Sequence, residues 1–140
     1  MRYVLAALIF FAVGAAQAQN TPVGVWKTID DDTNLEKSLV RIQEVSGVVS
    51  GKVDKIYDVS EQDAVCEKCR DGRKGQPILG MSIIDGLTQI DDVWEGGQIL
   101  DPDNGKLYRV RLKPIDGGKK LEVRGYIGPF FRTQTWIRVE

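Results

Sequence analysis

The chain has 140 residues, 19 basic and 20 acidic side chains, a formal net charge of −1 and no histidine. Lack of histidine excludes His-based general acid–base catalysis, Ser-His triads and imidazole-ligated metal sites. The two signs of charge are interspersed along the chain, a pattern with no electrostatic footprint for nucleic acid or an anionic membrane.

The N-terminus has the pattern of a secretory signal peptide. Arg2 precedes an apolar run from Tyr3 to Ala16, and Ala16-Gln17-Ala18 fits a small-x-small cleavage pattern. The run is shorter than the ~20 residues that span a bilayer. We therefore expect 1–18 to be removed and 19–140 to form one domain in a periplasmic or secreted, oxidising setting. No later segment is apolar enough for a membrane span.

Strand signals dominate the rest of the chain. Gly24 to Ile29 is the first, ended by Asp30-Asp31-Asp32-Thr33-Asn34, and Lys37 to Glu44 is the second. Ser46-Gly47 turns into Val48 to Tyr57, where Gly51 predicts a bulge or bend. Asp58 to Pro77 is polar, Gly-rich and carries both cysteines. A loop of that length without obvious structure is unusual in a small domain. Ile78 to Ile84 is apolar and reads as a buried strand. Val93 to Leu100 and Leu107 to Lys113 flank Asp101-Pro102-Asp103-Asn104-Gly105, turn chemistry that predicts a hairpin. Asp116-Gly117-Gly118 leads into Lys120 to Ile127, and Gly128-Pro129 into Phe131 to Val139. Eight strands joined mainly by hairpins predict an all-β, single antiparallel up-and-down barrel, an arrangement that removes exposed edges.

Two resemblances sharpen this. Gly24-Val25-Trp26 resembles the Gly-x-Trp opening of lipocalins and their calycin relatives. That likeness implies a barrel plugged by Trp26 under an arginine, with Arg132 and Arg138 as candidates. The mature chain also resembles a bacterial family known as domain of unknown function 2147, small secreted proteins with a calycin-like barrel. This match runs through Gly24-Val25-Trp26, Cys66-Glu67-Lys68-Cys69, Leu79-Gly80, Trp94-Glu95-Gly96-Gly97, Asp101-Pro102 and Asn104 to Tyr108. It continues through Leu121 to Gly128 and Arg132 to Arg138. It implies the barrel and export but brings no catalytic residue.

Among candidate sites the cysteines come first. Cys66 and Cys69 form CxxC, open to three readings: a structural disulfide, ranked first for the exported context; a redox pair, lacking the helix that lowers a thiol pKa; and a metal site, short of ligands. Glu95, Asp91, Asp92, Asp101 and Asp103 surround the hairpin, and turns use such residues without catalysis. We take Asp101 and Asp103 to bond turn amides. Gly96-Gly97 predicts a bulge or close strand approach. Trp94, Tyr108, Arg124, Tyr126, Gln134 and Trp136 are candidate ligand-lining residues. In the last strand Arg132, Gln134, Trp136 and Arg138 alternate with Thr133, Thr135, Ile137 and Val139. The aliphatic Ile137 and Val139 favour the second set as the inner face, leaving the Trp136 face outside or in the plug.

No catalytic constellation, cofactor or metal is expected. The first-ranked function is non-enzymatic binding of a small, partly apolar or amphipathic molecule at the open end. An envelope structural or interaction module comes second, with no particular protein partner indicated, and a thiol–disulfide enzyme using the CxxC third. An interior cavity on the scale of roughly several hundred Å³ would favour ligand binding. A filled interior shifts weight to interaction.

Overall fold

Eight strands form in the computed structural model, which describes residues 20–140. The expected signal peptide lies outside them. The strands are β1 (Gly24–Ile29), β2 (Glu36–Val45), β3 (Val48–Ile56), β4 (Ser82–Ile90), β5 (Val93–Asp101), β6 (Lys106–Ile115), β7 (Lys120–Ile127) and β8 (Phe130–Arg138). Each pairs antiparallel with its successor, and β1 pairs with β8 through Trp26↔Arg138 and Lys27↔Ile137. The expected all-β barrel is therefore closed, with no free sheet edge.

Closure needs sharp curvature, and glycines supply it. Gly86 at φ 74° interrupts β4, so that Ile84 and Leu87, three residues apart, are both fully buried. Across from it, a side chain at Gly97 would lie 2.7 Å from the Gly86 carbonyl carbon. The register shifts between Trp94 and Gly97, so Gly96-Gly97 marks a bulge and a close approach together. At Gly51 the register of β3 against β4 shifts as well. A Cβ there would press on Ile84 at 3.2 Å.

Two expectations need correction. Ile78 to Ile84 is not one strand: residues 78–81 turn, Gly80 at φ 84° donates its amide to the Val53 carbonyl, and β4 starts at Ser82. The apolar run mixes a loop anchor with a strand start, which hydrophobicity alone does not separate. The last strand faces the other way from the expectation. Trp136 is 3% exposed whereas Ile137 is 40% and Val139 50% exposed. Trp136 pairs with Leu121, and Gln134 with Val123, both buried. Burying a whole indole removes more apolar area than burying Ile137 would, and register carries every second residue inward with it.

The barrel encloses one continuous buried cluster. Trp26, Trp94 and Trp136 join Val40, Ile42, Val53, Ile84, Leu87, Val110, Leu112, Leu121 and Val123 in one buried cluster. An eight-stranded barrel is just wide enough for its side chains or one small ligand, and three indoles contribute to its core. The up-and-down path sends alternate connections to opposite ends. Turns 46–47, 91–92 and 116–118 share one end with the residues before Gly24. Loop 30–35, the cysteine loop, turn 102–105 and turn 128–129 share the other.

Candidate functional site

At the first end Arg138 forms a plug. Its guanidinium lies 4.2 Å from the Trp26 ring centroid and donates to the carbonyls of Gly118 (2.6 Å), Val23 (2.8 Å) and Thr21 (2.6 Å). Burial lowers its pKa from the usual arginine value, and carbonyl dipoles rather than a carboxylate satisfy it. The Trp26 indole N–H donates to the Pro22 carbonyl at 2.7 Å. Gly24, at φ 142°, leaves room: a Cβ there would sit 2.5 Å from Arg138 Nη1. Arg132, the other plug candidate, is instead at the opposite end.

There it belongs to a polar lacing across the barrel mouth. Arg132 Nε lies 3.7 Å from Asp31 and its Nη2 3.8 Å from Asp101. Gln134 donates to Asp31 at 2.7 Å and accepts from the buried Trp136 indole at 3.1 Å. Lys37 pairs with Asp103 and lies 3.7 Å from Asp30. Burial disfavours the Lys37 ammonium, but the Asp103 hydrogen bond and the charges of Asp103, Asp101 and Asp30 outweigh it and raise the pKa. Asp101 bonds a turn amide as expected, accepting from Asp103 N–H at 2.9 Å. The Asp103 carboxylate does not, because Lys37 draws it away.

The cysteine loop has more structure than its composition implies. Val59–Glu61 is a single 3-10 turn capped by Asp58, and residues 64–78 fold back on themselves. Cys66 N–H donates to Gln76, Gly75 N–H to Cys66 and Ile78 N–H to Ala64. Cys66 and Cys69 are disulfide-bonded. At 0% and 2% exposure they sit in the same buried cluster as Leu100 and Met81. Leu100 faces away from the lumen, opposite to Ile99, so the loop covers it from outside. The docking is tight at Gly105, where any Cβ would overlap the Lys68 backbone carbonyl. Cys66 Sγ lies 3.6 Å from the Pro102 carbonyl. A thiol–disulfide enzyme must present its sulfur to a partner thiolate. This bond is covered by the hairpin, which argues against redox catalysis.

The remaining candidates divide. Trp94 and Trp136 are core residues. Tyr108 is half-buried, its hydroxyl accepting from Asn104 Nδ2 at 2.9 Å. Arg124 and Tyr126 do not line the interior; they lie on the outer face. Arg124 donates to Thr133 Oγ1 at 2.9 Å, lies 3.7 Å from Glu122 and stacks 4.9 Å over Phe131. Tyr126 is 6.0 Å from Phe131 and under Arg109 at 5.7 Å. Their own alternation put them opposite Val123, and only the closed barrel shows which side that is.

Two concavities among the described residues lie outside the lumen, at the loop end. One, about 460 Å³ and open to solvent, has Ala64, Val65, Ile78 and Pro102 as apolar walls and Glu61, Asp63, Glu67 and Asp103 as acidic rim. The other, about 400 Å³, is lined by Arg70, Asp71, Gly105, Lys106, Leu107 and Ile127. Sequence reasoning missed Lys37, Asp31 and Phe130. A lysine beside a turn gave no signal, but two aromatics directly after Gly128-Pro129 were visible.

A closed eight-stranded antiparallel barrel, with an arginine stacked on the tryptophan of its first strand, is of the lipocalin type. A solved structure, described as "Protein HP1028 from the human pathogen Helicobacter pylori belongs to the lipocalin family", matches with a TM-score of 0.73. It is 20% identical, and the match covers 84% of this chain and 82% of that one. By its match over residues 24–138, this chain belongs to the bacterial family described as "Uncharacterized protein conserved in bacteria (DUF2147)". No curated protein matches the chain.

Proposed function

We propose that this is an exported, non-enzymatic binding protein that engages its partner at the loop end of the barrel, from outside, as an envelope interaction module. The observation that carries this reading is that two concavities lie outside the lumen at the loop end, while Trp26, Trp94 and Trp136 are packed in the core cluster. The packed core then serves as a rigid mount for the cysteine loop and two hairpin tips. Rigid mounting of loops is how such scaffolds commonly carry function. The buried disulfide supports an oxidising compartment, because such bonds persist there. Removal of 1–18 as a signal peptide belongs to the same proposal.

Crosslinking from unnatural residues placed at exposed Val59 and Leu79 tests it, with Val45 and Val48 at the opposite end as controls. Specific adducts should form from the first pair. Adducts confined to the second pair would sink the idea. A second reading, binding of a small, partly apolar molecule, is favoured by the 460 Å³ groove, which falls in the size range of ligand pockets. Its acidic rim suits a cationic or hydrogen-bond-donating group. NMR titration with lipid and metabolite panels should then shift the amides of residues 60–68 and of Asp103. Shifts restricted to lumen residues would count against it.

A further inference from the structure

The β7–β8 turn gathers exposed apolar side chains at the loop end. Turn 128–129 holds Ile127 (45% exposed), Phe130 (73%) and Phe131 (62%) at the barrel's extremity. Exposed aromatics gathered at a tip mark interaction rather than chance. Folding also collects basic residues around this tip that are dispersed in sequence. Arg109 pairs with Tyr126 one rung behind Ile127, and Arg124 lies three residues behind it, about 10 Å at strand rise. Arg132 projects from the rung between, and Arg70 and Lys106 line the adjoining groove with Ile127.

Carboxylates answer some of these cations. Asp31 and Asp101 lie beside Arg132, Glu122 beside Arg124, and Asp71 is held by Arg73. Arg70, Lys106 and Arg109 have no carboxylate within 4.0 Å among the described residues. The tip is therefore apolar at its point and cationic on the side of β6 and the cysteine loop, with Asp31 facing it from the β1 side. Interfacial binders share that order: apolar groups enter roughly 5–10 Å to the acyl boundary while cations stay with the headgroups.

We propose that the β7–β8 tip docks the protein on an anionic lipid surface, Phe130 and Phe131 entering the interface and Arg70, Lys106 and Arg109 meeting headgroup phosphates. This rests on the loop-end reading and names its partner. A short turn with three exposed apolar side chains offers less area than the patch a protein partner of standard size covers.

Co-sedimentation with phosphatidylglycerol-containing vesicles, against pure phosphatidylcholine vesicles, tests it. Binding should require the anionic lipid, weaken as salt rises, and persist in inorganic phosphate. Phe130→Ser with Phe131→Ser should cut it about a hundredfold or more, from the apolar area withdrawn. Arg70→Gln with Lys106→Gln, which touch neither phenylalanine, should weaken it while leaving the apolar tip intact. Circular dichroism checks that both variants fold. No binding, equal binding to neutral vesicles, or indifference to the Phe replacements overturns the inference. So does a dimer in solution that the Phe variants abolish, which would make a second copy the occupant. If loop-end crosslinks persist while vesicle binding fails, only the lipid assignment falls.

Discussion

Arg138→Met removes the plug cation while keeping an apolar side chain of similar reach over Trp26. Three hydrogen bonds from an ionised donor are lost, to Gly118, Val23 and Thr21. Bonds of that kind contribute ~1.5–3 kcal/mol each when fully buried. These carbonyls lie at a barrel end that water reaches once the guanidinium is gone, so the low end applies. Loss of the cation–π stack adds about 1–2 kcal/mol. Against this, the variant regains the cost of desolvating the charge, which the lowered Arg138 pKa registers. The balance is a loss of about 3–5 kcal/mol, the usual range for removing one member of a buried charged network. With a urea m-value of about 1–3 kcal/mol/M, the unfolding midpoint should fall by about 2 M. Arg138→Lys keeps the charge but not the planar fork that reaches three carbonyls, so it should recover only part of the loss. Equilibrium urea unfolding followed by tryptophan fluorescence provides the assay. A loss below about 1 kcal/mol in Arg138→Met, or a lysine variant as stable as the parent, would refute the plug.

Three further predictions concern the cysteine loop. Gly105→Ala drives a Cβ into the Lys68 carbonyl at a φ of 70°, so the loop should undock. Hydrogen exchange should rise across residues 64–78 with core strands protected, and unchanged loop protection would be the contrary result. Replacing Cys66 and Cys69 by Ala should lower the opening free energy of the same segment by about 2 kcal/mol, the chain-entropy value for so short a loop. In the parent protein, low concentrations of reductant should leave the bond intact until the loop opens. The Arg73 side-chain hydrogen bond, with its backbone amide and charge, holds the Asp71 carboxyl down from 3.8 to about 2. A depressed carboxyl stabilises above its unfolded pKa and loses that contribution as pH falls through the folded one. NMR of amides 71–76 should therefore change between about pH 4 and 2 and not near neutrality. Asp71→Asn should abolish the response, and an Asp71 midpoint near 3.8 would contradict the pairing.

Local chemistry made the barrel legible in the chain itself. Period-two alternation, turn residues at 46–47, 101–105, 116–118 and 128–129, and the glycines at bends each act within a few residues. Gly24 and Trp26 were legible too, as signature positions, and the structure supplies the reason in the space Arg138 needs. The structural disulfide of Cys66 and Cys69 was the first-ranked of three readings of the CxxC, and the structure holds that bond.

What tertiary structure alone decided was direction and company. Alternation separates two faces of a strand but does not say which is inner, so Trp136 and Ile137 exchanged their expected places. Arg124 and Tyr126 went outside for the same reason. The burial of the CxxC depends on Gly105, which lies far from it along the chain and meets it only through folding. Arg70, Lys106 and Arg109, dispersed in sequence, came to the end that carries Ile127 only when distant strands and the cysteine loop met there. Periodicity is a property of neighbours in sequence; facing, covering and clustering are properties of neighbours in space.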